Sequence, residues 1–145
     1  MKPPEVIKEE FTREWIRKAE SDFKTAAHLL KSSPDLAEGT AFHSQQAAEK
    51  YLKAFLVKND IEPPEIHDLQ RLKVLCAKID MNFHLVSGQL DILNAYAVNF
   101  RYPGEESTME ESKEAVFKMK EVRKFIRKKM GRSNEKLQRS QTKFK

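Results

Sequence analysis

Apolar residues recur along this chain at three- and four-residue intervals, and the phase of that pattern resets at a few breaks. The first run, Trp15, Ala19, Phe23, Ala26 and Leu30, predicts an amphipathic helix from about Phe11 to Leu30. Pro34 ends it, because proline disfavours helical backbone in the residue before it. A second helix is predicted from about Leu36 to Lys58, with Ala41, Ala48, Leu52, Phe55 and Leu56 on one side, and Pro63-Pro64 lies in the loop beyond it. Leu69, Leu72, Leu75 and Cys76 carry a shorter third helix from about Asp68 to Lys78, with Asp68 placed to cap it. Val86, Leu90, Leu93, Ala97 and Phe100 predict a fourth from about His84 to Phe100, stopped by Pro103-Gly104.

A fifth helix opens near Ser107-Thr108, where Ser107/Glu110 and Thr108/Glu111 both have capping-box spacing. Its expected core stripe is Met109, Val116, Met119, Val122, Ile126 and Met130, and Gly131 is placed as its C-cap. No stretch alternates in the manner of a strand. The expectation is an all-α fold: an up-and-down antiparallel helical bundle of four long helices plus one short helix. It would occupy residues 11–131, preceded by an N-terminal arm (1–10) and followed by a basic mobile tail (132–145).

Composition narrows the class. A length of 145 residues suits one domain, and the single cysteine, Cys76, excludes an internal disulfide framework and a cysteine-based zinc site. A reducing cytoplasm is the expected compartment. No apolar run approaches the ~18 residues that span a bilayer, so no membrane partner is expected. The N-terminus also lacks the apolar core of a signal peptide. The net charge of +5 suggests a polyanion until it is located. Residues 1–108 hold 14 Lys/Arg against 17 Asp/Glu, whereas residues 109–145 hold 13 against 5. The basicity therefore belongs to the last quarter of the chain, and global charge does not argue for nucleic acid. No DNA partner is predicted.

Four stretches hold candidate chemistry. In the second helix His43, Gln46, Lys50 and Lys53 project onto one polar face, while Gln45 falls on the apolar side. Burying a glutamine amide is unfavourable unless its donors and acceptor are matched, so Gln45 implies a core hydrogen bond, a subunit contact or a ligand contact. Asp22, at the edge of the first stripe, wants a cationic partner, and Lys50 and Arg101 are the candidates. His67 precedes a helix start, where free N–H groups favour an anion; the alternative is a capping segment packed on the bundle. Arg101 and Tyr102 sit where the fourth helix should stop, suited to a phosphate and to a stacked base respectively, or else to Asp22 and to packing. The histidines at 28, 43, 67 and 84 show no metal-ligand pairing, and no Gly-rich phosphate loop occurs, so no metal or cofactor is expected. Cys76 reads as a core thiol.

Taken in order, Trp15…Ala19…Asp22-Phe23…Ala26…Leu29-Leu30, then Ala41-Phe42-His43-Ser44-Gln45-Gln46-Ala47-Ala48-Glu49-Lys50, then His67-Asp68-Leu69 and Phe100-Arg101-Tyr102-Pro103 resemble the HEPN domain family. The resemblance spans about residues 11–130 and rests on the ordered set of motifs. It implies a cytoplasmic all-α bundle, usually a homodimer, often paired with a small nucleotidyltransferase in a toxin–antitoxin-like arrangement. It also implies nucleotide or RNA binding, with Arg101, Tyr102, His43, Gln46, Lys50 and His67 as candidate ligand residues and Asp22 and Gln45 as structural polar residues. Many relatives cleave RNA without metal, using an arginine followed four to six residues later by a histidine. Here those positions after Arg101 are Glu105, Glu106 and Ser107. The resemblance therefore favours a binding module over a metal-independent RNA-cleaving toxin. An RNA binder working through its basic tail is a further alternative.

Overall fold

The computed structural model describes residues 3–96 and 103–131. Among them are α1 (Pro4–Ser32), α2 (Ala37–Lys58), α3 (Leu69–Ile79), a 3₁₀ turn (Met81–Val86), α4 (Ser87–Asn94) and α5 (Met109–Met130), with no strand. The fold is all-α, as the periodicity predicts.

The long helices meet in a definite sense. Lys8 pairs with Asp60, Trp15 with Lys53, Glu20 with Tyr51, and Leu29 approaches Gly39. The numbers run in opposite order, so α1 and α2 form an antiparallel hairpin across the short Ser33–Leu36 link. Glu38 meets Ser107, Tyr51 meets Arg123 and Lys58 meets Met130, so α5 runs alongside α2 in the same direction. Asp80 pairs with Lys129 and Phe83 with Phe125, which sets the 3₁₀ turn against α5 in reverse order. Helix α3 lies between, tied to α4 by Gln70 on Asp91 and Lys73 on Ser87.

The core takes a fully buried side chain from each main element: Tyr51, Leu52 and Leu56 of α2, Leu69 and Leu72 of α3, Phe83 of the turn, Leu90 and Leu93 of α4, and Met119 and Ile126 of α5. The α1 stripe buries Ala19 and Ala26 and leaves Trp15, Phe23 and Leu30 half-buried at the edge. Small residues there let α2 approach α1 closely, which matters for the polar groups between them.

Three expectations are corrected. Helix α1 begins at Pro4, so most of the expected N-terminal arm is helical. Proline at the first helical position needs no N–H and arrives with its φ preset. The fourth segment, expected as one helix from His84 to Phe100, is a 3₁₀ turn followed by an eight-residue helix ending at Asn94. Asp80 caps the turn through Asn82 N–H. Ala97, Phe100, Arg101, Tyr102 and the 132–145 tail lie outside the described residues. Met109 is exposed, and Ala115 takes its place in the buried face of α5. The other α5 expectations hold. Thr108 and Glu111 form a reciprocal capping box, and Gly131 ends the helix at φ 71°, a backbone conformation open to glycine.

One polar cluster fastens the three long helices. Arg123 of α5 donates from Nε to Glu20 Oε1 at 2.9 Å and from Nη2 to Oε2 at 3.0 Å. Tyr51 of α2 donates to the same carboxylate at 2.6 Å, and the guanidinium lies over Phe23 at 4.2 Å. This is a bidentate arginine fork with its face covered by an aromatic ring. Burial alone pushes the Glu20 carboxyl up. Hydrogen bonds from Arg123 and Tyr51, with the charges of Arg123 and Arg127, outweigh it and hold the group below its ordinary value. Burial, with Glu20 beside it, pushes the Tyr51 phenol far up.

Three expected outcomes follow. Leu52→Ala should lower unfolding stability by about 2–5 kcal/mol, because the enclosed site cannot collapse, whereas Thr108→Ala should cost only about 1 kcal/mol. Denaturant titrations compare the two. Burial pushes the Cys76 thiol up to about 12, so a thiol reagent should label the protein only after denaturation. Glu20→Gln should cost about 1–3 kcal/mol at neutral pH. Because the folded carboxyl titrates below the unfolded one, its contribution is whole above about pH 4.3 and is lost as the pH falls through the folded value. The gap between wild type and variant should therefore narrow in acid, read from denaturant midpoints across pH.

Candidate functional site

The polar face predicted for α2 is real, but α1 and the loop before α3 pack against it. Two carboxylates organise it. Asp22 of α1 is buried and accepts from His43 Nδ1 at 2.8 Å and from Lys50 Nζ at 2.5 Å. Of the two cationic partners expected for Asp22, Lys50 is the one seen, and Arg101 lies outside the described residues. The His43 ring also meets Phe42 edge-on, with centroids 5.6 Å apart. His43 and Lys50 keep 33% and 23% of their side chains exposed, so solvent reaches the outer side of this pair.

Glu49 is the second carboxylate, lying on α2 between His43 and Lys50 in sequence but on a neighbouring face. It is 3% exposed and faces Lys53 Nζ at 3.2 Å and His67 Nδ1 at 2.9 Å. Lys53 is itself buried and lies 5.5 Å from the Trp15 ring centroid, a cation–π contact that helps to offset its desolvation. The two acids thus each take one lysine and one histidine. With both rings neutral the four formal charges cancel; with both rings protonated the seam carries two net positive charges.

Gln45 and Gln46 join the second group. Gln45, fully buried, donates to the His67 carbonyl at 3.2 Å and accepts from Gln46 Nε2 at 2.7 Å. Of the three tasks open to it, the core hydrogen bond is the one the structure shows. It pins the loop to the side of α2 and brings His67 beside Glu49.

The helix-start reading of His67 is corrected at its physical root. The first N–H groups of α3 are all occupied. Leu69 N–H donates to Asn94 Oδ1, Gln70 and Arg71 donate to Asp68 Oδ1, and Leu72 donates to the Asp68 carbonyl. Asp68 does cap α3 as expected. No donor remains in that turn for an anion, and the segment presents the His67 ring instead.

Of the six candidate ligand residues, the structure gathers His43 and Lys50 at one carboxylate and Gln46 and His67 around the next. Arg101 and Tyr102 lie outside the described residues. Sequence reasoning missed Glu49 and Lys53 as a buried pair, and Glu20, Tyr51 and Arg123 as a cluster. The i, i+4 spacing of Glu49 and Lys53 was a usable signal. The Glu20–Arg123 pairing, 103 residues apart, left none. Among the described residues no group of histidine, cysteine and acidic side chains could hold a metal ion. No described helix is long and apolar enough to cross a membrane.

A family model described as HEPN domain matches residues 12–129. Comparisons with curated proteins and with solved structures give no match. The matched span enters α1 at Thr12 and runs to Lys129, one residue short of the end of α5, so it takes in both carboxylate centres and all or most of each described helix. The chain belongs to the HEPN domain family.

Proposed function

We propose that this protein is a HEPN binding module that holds the phosphates of a nucleotide or RNA, acts as a homodimer in the cytoplasm, and works with a small nucleotidyltransferase in a toxin–antitoxin-like pair. The observation that carries the reading is the α1–α2 seam. His43 and Lys50 stand side by side on Asp22 with their outer surfaces open, and a phosphate approaching them meets the remaining ammonium donors of Lys50 and, when the ring is protonated, His43 Nε2–H. Arg101 and Tyr102 join the proposal on sequence grounds alone, as a phosphate fork and as a stacking or acceptor group.

The dimer proposal changes in detail. Phe117 and Phe125 both lie off the α5 core stripe and are sequence candidates for a subunit contact. Phe125 packs edge-on against Phe83 at 5.1 Å and is half-buried, whereas Phe117 is 60% exposed. Phe117, with the exposed Met109, is the apolar surface of α5 available to a second copy. The RNA-cleaving alternative has Glu105, Glu106 and Ser107 where the family's histidine would fall, so the non-catalytic reading is preferred.

Titration of ATP, GTP and a short RNA against wild type, Lys50→Gln and Arg101→Ala tests the module. Binding should weaken about tenfold or more in each variant, the loss of one charge-assisted contact (about 1.4 kcal/mol or more). Equal binding in all three proteins, or none in any, would remove the reading.

A further inference from the structure

His67 is an exposed side chain held by buried ones. Its ring is 70% exposed, yet its Nδ1 sits 2.9 Å from Glu49, which is 4% exposed at the side chain. Its own carbonyl accepts from the fully buried Gln45, and the next residue, Asp68, accepts from Asn94 Nδ2 at 3.2 Å. Lys53, itself buried, supplies the countercharge for Glu49. Burying a carboxylate, an ammonium and an amide is unfavourable even when all are paired. A surface loop alone does not require such a setting, since solvent-exposed imidazoles need no support.

The chemistry of the pair is specific. A carboxylate accepts and does not donate, so the ring nitrogen facing Glu49 carries the hydrogen. In the neutral ring the lone pair then resides on Nε2, which has no partner among the described residues. A carboxylate behind Nδ1–H fixes this tautomer and stabilises the positive charge that develops when Nε2 forms a new bond. With its ring 70% exposed and held from behind, His67 is placed as a side chain that another enzyme's site can admit.

We propose that His67 is a covalent acceptor of a phosphoryl-type group, attached at Nε2. The Nε2 lone pair attacks an electrophilic phosphorus and an N–P bond forms. The bond from phosphorus to the leaving group breaks, and the leaving group departs with that electron pair. The ring becomes cationic, and Glu49, still accepting from Nδ1–H, faces the new charge. The donor is an activated phosphate: phosphoramidate, which releases ammonia, or a nucleoside triphosphate handled by a transferase, which releases diphosphate or the nucleoside diphosphate according to the phosphorus attacked. The triphosphate route rests on the nucleotidyltransferase pairing proposed above. The acceptor chemistry of His67 does not.

The experiment uses the full chain with phosphoramidate as the probe. Peptide mapping by mass spectrometry follows modification of each histidine with time. His67 should react at least tenfold faster than His28 and His84, two exposed histidines without a carboxylate on the ring. In Glu49→Gln, whose side-chain carbonyl can still accept from Nδ1–H, His67 should slow to the rate of those two. Equal rates for the three histidines in the wild-type protein would overturn the proposal, and so would an unchanged His67 rate in Glu49→Gln. If that variant does not fold, the comparison within the wild-type chain still decides. The outcome is independent of the nucleotide titrations, so either reading can fail alone.

Discussion

Helix α2 is enclosed along much of its length, and the rest of the fold is arranged around the polar groups it carries inward. From Ala47 to Leu56 nearly every side chain is buried, Glu49, Tyr51 and Lys53 among them. An apolar helix in that place would need only shape from its neighbours. This one needs matched partners at set positions: Asp22 and Glu20 from α1, His67 from the loop and Arg123 from α5. These partners come from three different elements, so the requirement to satisfy α2 fixes how α1, the loop and α5 sit against it. Polar networks of this sort specify an arrangement more strongly than they stabilise it.

That division separates what the sequence makes legible from what it does not. Helix number, caps and core stripes follow from local pattern, and the Thr108–Glu111 box and the Asp68 cap were readable from spacing alone. Gln45 stood out because an amide among leucines demands an explanation, and the Asp22–Lys50 pairing could be named because a carboxylate beside an apolar stripe has few cations to choose from. Partner choice over long distances is another matter. Glu20 reads as an ordinary surface acid, and α5 offers several arginines and lysines at helical spacing, so nothing local selects Arg123. The length of the fourth helix was misjudged for a related reason. Its apolar period runs unbroken through His84, and only Asp80, by capping a tighter turn, redirects the backbone.

The two carboxylate centres share a composition but not a setting. Asp22 binds a histidine that stays within the bundle surface, close to an aromatic edge, whereas Glu49 binds one that projects from it. The same acid–imidazole–ammonium combination thus leaves a partly exposed ring and ammonium on the bundle surface in one place and a ring that reaches outward in the other. The HEPN bundle holds them side by side because α2 supplies His43 and Lys50, at i and i+7, to the first and Glu49 and Lys53, at i and i+4, to the second.

The Glu20–Tyr51–Arg123 cluster also has a temporal side. On the ribosome α1 and α2 emerge together, and Glu20 and Tyr51 meet as soon as the hairpin closes. The guanidinium that completes them is encoded 72 residues after Tyr51. At roughly 5–20 residues per second, several seconds pass before it exists. During that interval the hairpin must keep its carboxylate facing water, and the inner face of α2 stays open. The cluster can therefore close only when α5 docks, as the last of the described helices to be made.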